Sequence, residues 1–175
     1  MSPISSLLVL GLYVLSASAA KPLKIKNLVT FGDSYTDFTA FNFPLWNVWA
    51  SGYGKFQLTN FAKAGATCSQ DLTPRTFPAL FQDEIPAFLN LTKNGTTLNP
   101  KETLYTLWLG TNDVGVGQLI TGQAQPGVSV VDTTACAVSW VSTLYKFGAR
   151  NFFFQNVKIS LPSSAIDRSH LTFSR

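Results

Sequence analysis

Charge is scarce in this chain. Only 13% of its 175 residues are Asp, Glu, Lys or Arg. Basic side chains outnumber acidic ones by 13 to 9, for a formal charge of +4. Lys21, Lys24 and Lys26 crowd one short stretch, and the other basic residues are scattered. Dispersed charge of this kind gives little support for nucleic-acid binding. Cysteine is scarcer still. Two cysteines exclude a disulfide framework and a four-cysteine zinc site. The single histidine, His170, leaves little room for a histidine-rich metal site. It is also the one imidazole the whole chain can offer as a general base. No phosphate-binding loop or metal-ligand spacing occurs, so no cofactor is implied. Internal repeats and low-complexity tracts are absent. What is plentiful is apolar surface. A 46% hydrophobic composition is enough for a core and excludes wholesale disorder. The length is that of one domain.

The first segment reads as an address. Residues 1–20 contain no charged side chain. An apolar run from Leu7 to Leu15 leads into Ser16-Ala17-Ser18-Ala19-Ala20, small residues that suit a signal peptidase cleft. The run is too short for a comfortable membrane span of about 20 residues. The expected organisation is a signal peptide over 1–20 and one domain over 21–175, exported from the cell. An uncleaved N-terminal anchor is the rival reading. Two glycosylation sequons, at Asn90 and Asn94, agree with export and sit in a polar stretch that reads as a surface loop. In an oxidising compartment Cys68 and Cys136 either pair or stay separately buried. Sequence leaves both open, because it gives no Cα separation.

Along the mature chain, three apolar runs read as buried strands: 25–31, 103–109 and 151–157. The stretch 56–61 is a weaker strand. A helix is expected between the last two strong strands, with Asp132 or Thr133 at its start. Ala137, Trp140, Val141, Leu144 and Tyr145 would form its core-facing stripe. Lys146 suits its last turn, and Gly148 would stop it. Residues 81–91 read as helix rather than strand, with Pro86 in the way. Strands alternating with helices predict an α/β fold with a parallel sheet covered on both faces.

Ligands in open α/β sheets bind outside the carboxyl ends of the strands. Here those ends run into Gly32-Asp33-Ser34, into Ala64-Gly65-Ala66 and into Gly110-Thr111-Asn112-Asp113. Taken singly, Ser34 is a helix cap, Gly65 a turn glycine and Asn112 an Asx-turn residue. Together, each at a strand end, they offer a nucleophile and two oxyanion donors.

The blocks Leu28 to Asp37, Asn60 to Gly65 and Gly110-Thr111-Asn112-Asp113 resemble those of the GDSL, or SGNH, hydrolases. The wording around Glu84 to Leu89 and Gly148 to Phe152 is similar to secreted fungal members classed as carbohydrate esterase family 16. The likeness runs from about residue 23 to residue 167. It implies a flavodoxin-like three-layer sandwich and ester cleavage through an acyl-serine. Ser34 would be the nucleophile. Gly65 and Asn112 would join the Ser34 amide in holding the oxyanion. The substrate would be a small-molecule or polysaccharide ester, with no stable membrane partner and no nucleic acid. Oligomeric state is open.

The base is the difficulty. Asp167-Arg168-Ser169-His170 fits the family's D-x-x-H pattern letter for letter. It follows the 151–157 strand too closely to leave room for the fifth strand and crossover that precede that block in the family, since a crossover needs about 10–12 residues. Two expectations therefore stand side by side. Either Asp167 and His170 have been recruited, or the chain is short of its last strand and closing helix and is an inactive remnant. A lipase-like lipid esterase is a further alternative. Finally, Phe41, Phe43, Trp46, Trp49 and Tyr53 follow the serine loop. They fit a stacking surface for a sugar or acyl chain, or core packing, the commoner fate of such a run.

Overall fold

The structure is a computed structural model and describes residues 24–115, 117–122 and 124–155. The expected leader over 1–20, and Asp167 and His170, lie outside the described residues.

Four strands form one sheet in the order β2-β1-β3-β4, all parallel. They are β1 (Asn27–Gly32), β2 (Gln57–Asn60), β3 (Thr103–Trp108) and β4 (Asn151–Phe154). β2 and β3 fall within their expected runs, β1 starts two residues later than expected and runs one residue further, to Gly32, and β4 starts where expected. The weak run at 56–61 does pair, along β1.

The pleat sorts side chains into two layers. Odd positions of β1 and β3 (Val29, Phe31, Tyr105, Leu107) join the main apolar core. Against them pack Ile85 and Phe88 of α2 (Ile85–Lys93), and Trp140 and Leu144 of α4 (Val130–Lys146). Phe31 meets Phe88 and Trp140 edge-on, with ring centroids 5.8 and 5.6 Å apart. The even face is more polar. Thr30 hydrogen-bonds Asn60 and receives Asn47 of α1 (Trp46–Gly54), so α1 covers this side. The result is the α/β three-layer arrangement, consistent with a flavodoxin-like fold.

Several local expectations need correction. Helix α4 begins earlier than expected. Ser129 is its N-cap, and Asp132 sits at N3, closing a capping box back onto the Ser129 amide at 2.8 Å. Tyr145 is 54% exposed rather than core-facing, and the Arg150 guanidinium lies 4.0 Å over its ring. Pro86 does not obstruct α2. It sits in the first turn, where a missing N–H costs nothing, and a π-helical turn over Leu80–Glu84 leads into it. Asn90 belongs to the last turn of α2 and Asn94 is its C-cap, so only the remainder of that stretch is loop. Helix α1 carries no side-chain cap and three small residues in its last four, which hid it in the sequence.

Cys68 and Cys136 form a disulfide, with Cα atoms 6.2 Å apart. That separation lies within the normal range. The bond joins the loop after β2 to α4.

Candidate active site

The parallel sheet brings the ends of β2, β1 and β3 to one edge. Gly32 is paired with Trp108 there. A Cβ on Gly32 would fall 2.0 Å from the Trp108 carbonyl oxygen, and its φ is +137°. Only glycine lets the two backbones close to this distance. The Asp33 amide then donates to the Trp108 carbonyl at 3.0 Å. Immediately beyond, the chain bends into a helical turn, with the Thr36 and Asp37 amides both donating to the Asp33 carbonyl at 3.0 Å. Ser34 sits on that bend, half-buried.

Its polar groups are unengaged. The Ser34 hydroxyl and amide engage no hydrogen-bonding group of the described residues. The Gly65 amide is equally free, in a turn where φ is +83° and a Cβ would press within 2.5 Å of the Phe77 ring. Asn112, at the start of the short α3 (Thr111–Val114), donates from Nδ2 to the Ala66 carbonyl at 2.9 Å. That bond uses one of two hydrogens on the amide nitrogen and leaves the second available. Ser34, Gly65 and Asn112 thus occupy three loops that leave neighbouring strands at one edge.

Buried carboxylates tie those loops together, and sequence reasoning assigned them no role. Glu84 is buried. Its Oε2 accepts the Gly32 amide at 3.0 Å and its Oε1 the Lys63 amide at 3.2 Å. It therefore joins the β1 end to the glycine loop. Asp37 adds a second tie, Oδ2 accepting the Ala64 amide at 2.8 Å. Asp113 joins the glycine loop to the β3 end, accepting from the Cys68 amide at 2.9 Å and from the Thr73 hydroxyl at 2.9 Å. A lone Glu inside a helical pattern carries no sequence signal for this. Asp37 and Asp113 stand in the quoted blocks, and a carboxylate beside a glycine loop was the available hint.

Burial sets the electrostatics. It pushes the Asp33 carboxyl up to about 6. The Tyr35 amide, 3.1 Å from Oδ1, pulls the other way, while the Asp113 charge adds to the rise. The nearby Thr111 amide and hydroxyl pull it down weakly, at longer range than a full hydrogen bond. Glu84 is raised well above the usual carboxylate range by burial, against the pull of its two amides. Asp113 is raised for the same reason.

Aromatic rings flank the serine on the α1 side. Tyr35 stacks on Trp108 at 5.1 Å, and Trp46 lies 6.4 Å from Trp108. On the other side of Asn112, a cleft of about 550 Å3 opens between the β3 end and α4. Gly110, Asp113 and Val114 meet Val130, Ala137 and Phe154 in its wall. Among the described residues no group of acidic, histidine or cysteine side chains could hold a metal ion.

No protein-family model matches the chain. Among curated proteins, the chain is similar to an acetylesterase from Hypocrea jecorina, with 28% identity over 165 residues. The match covers 75% of this chain and 47% of that protein, so the chain spans about half the length of the curated relative it matches.

Proposed function

We propose that this chain carries the nucleophile and oxyanion site of a secreted serine ester hydrolase of the GDSL/SGNH type, acting on acetyl or other short-chain esters of carbohydrates. The observation that carries the reading is the edge itself: an unengaged serine hydroxyl on a tight bend, beside two free amides and a side-chain amide. Similarity to an acetylesterase supports the ester class. In the reaction, Ser34 Oγ attacks the ester carbonyl carbon. The carbonyl oxygen gains negative charge, which the amides of Ser34 and Gly65 and the Nδ2 of Asn112 stabilise. The sugar alcohol leaves with a proton, and water then releases the acid from Ser34. Fixed donors of this kind are worth about 2.7–4 kcal/mol each where charge develops.

The proton carrier in this reading is His170, with Asp167 orienting it. The chain leaves β4 at this same edge, where the Gln155 amide donates to the Leu107 carbonyl at 3.0 Å. Export is supported by the residue pattern of 1–20, by the disulfide and by the exposure of Asn90 and Asn94 as glycan acceptors.

Turnover of p-nitrophenyl acetate by the secreted protein tests the assignment. Ser34→Ala abolishes it. Asn112→Ala lowers kcat roughly 10²–10³-fold, whereas a change confined to KM would make Asn112 a binding residue. His170→Ala abolishes turnover if His170 is the base. Unchanged turnover in Ser34→Ala contradicts the mechanism.

A further inference from the structure

The five aromatic residues after the serine loop are not core. Phe41, Phe43, Trp49 and Tyr53 are exposed, Trp49 by 54% and Tyr53 by 85%, and only Trp46 is half-buried. Trp46, Trp49 and Tyr53 recur at i, i+3 and i+7, one face of α1. The Trp49 and Tyr53 rings are near-parallel, 24° apart, and slipped to a centroid distance of 6.2 Å. Gly52 lies between them in sequence, and a Cβ there would meet nothing within 4 Å, so the helix surface is open at that point. Contiguous exposed apolar surface of this kind marks a binding face more often than chance.

We propose that the outward face of α1 is a stacking platform for a neutral, pyranose-based polysaccharide, holding the polymer beside the Ser34 edge. Residues 38–54 carry aromatic side chains at six positions and no charged side chain, and the nearest exposed charge in sequence is Lys55, just past the end of α1. The aliphatic residues of that stretch, Leu45 and Val48, are half-buried, which leaves ring faces rather than branched aliphatics outward. A ring face is electron-rich, and the C–H face of a pyranose is its electropositive complement. From Trp46 to Tyr53 the helix rises about 10 Å, room for roughly two sugar rings. The platform is continuous with the candidate site. Trp46 Nε1 donates to the Thr36 hydroxyl at 3.2 Å, two residues beyond Ser34, and the Trp46 ring approaches Trp108, on which Tyr35 stacks.

The link to catalysis rests on the esterase reading, and the binding itself does not. Affinity electrophoresis through gels containing xylan, glucomannan or hydroxyethylcellulose therefore uses the Ser34→Ala protein as well as the native one. Both are expected to be retarded by at least one polymer. Trp49→Ala and Tyr53→Ala should each weaken that retention at least 10-fold with an unchanged thermal midpoint, and Trp49→Phe should keep most of it. Retention without turnover would uphold the platform and sink the esterase reading. No retention by any of the three polymers would overturn the platform. So would retention indifferent to these substitutions, or binding to phosphatidylcholine vesicles in place of polysaccharide.

Discussion

Asp33 is fully buried between the ends of β1 and β3, one residue before the proposed nucleophile. Its carboxyl, pushed up to about 6 by burial, is protonated in the folded protein over a range where the unfolded chain has lost its proton. The folded state therefore binds more protons there, and stability falls as pH rises. The contribution is intact below about pH 4 and gone above the folded value near 6, a loss on the order of 3 kcal/mol. Glu84 and Asp113 are raised too and add slope of the same sign. Urea midpoints followed from about pH 4 to pH 7 should fall for the native protein and fall less for Asp33→Asn. A native midpoint that rises over this window would contradict the assignment. At this scale the sequence was informative where chemistry and backbone coincide. Ser34 and Gly65 stand on turns just past β1 and β2, as their types implied, whereas Asn112, read as an Asx-turn residue, lies in the first turn of α3 and bonds across to the Ala66 carbonyl. The carboxylates behind them were not legible as ties, because their partners are backbone amides up to 52 residues away, which no local pattern records.

Among the elements, α2 shows how a helix can serve the site from outside it. The π-helical turn over Leu80–Glu84 hands Glu84 to the junction of two loops, and Pro86 fixes the start of the helix behind it. Glu84→Gln keeps the size but offers one acceptor where two amides need one each. The variant should lose roughly 1–3 kcal/mol, the cost of a buried unsatisfied group, and some activity, because the glycine loop loses its anchor. Denaturant unfolding with parallel ester turnover checks this, and unchanged stability would remove Glu84 from the account. The strands β1 and β3 were readable because apolar runs that stop at a glycine point to one structure. Helix α1 was not. Two of its three aromatic residues, Trp49 and Tyr53, face water, its cap is a leucine without a side-chain bond, and its glycines argue locally against a helix. The start of α4 was misread because Asp132 resembles a cap, while Ser129, three residues earlier, is the one that accepts from the helix.

For the molecule as a whole, the sheet supplies the edge and the disulfide secures it. Cys68 follows the glycine loop, and its amide is held by Asp113, so the bond to Cys136 fastens this loop to α4 across 68 residues of chain. Closing a loop of that length stabilises by about 4 kcal/mol in the chain-entropy model. Cys136→Ser should lower the unfolding midpoint accordingly, and calorimetry of the oxidised protein against the variant reads it. Layer order and parallel pairing followed from the alternation of strand and helix signals. Whether the two cysteines meet did not, since that depends on a 6.2 Å separation that only the packed chain sets. The central claim is that Ser34 is a reactive nucleophile held beside an oxyanion site. The most direct measurement is labelling of the purified protein with a fluorophosphonate ester, followed by mass mapping of the peptides. The account predicts one adduct, on the peptide bearing Ser34 and at that side chain. An unlabelled protein, or an adduct on a different serine, would contradict it.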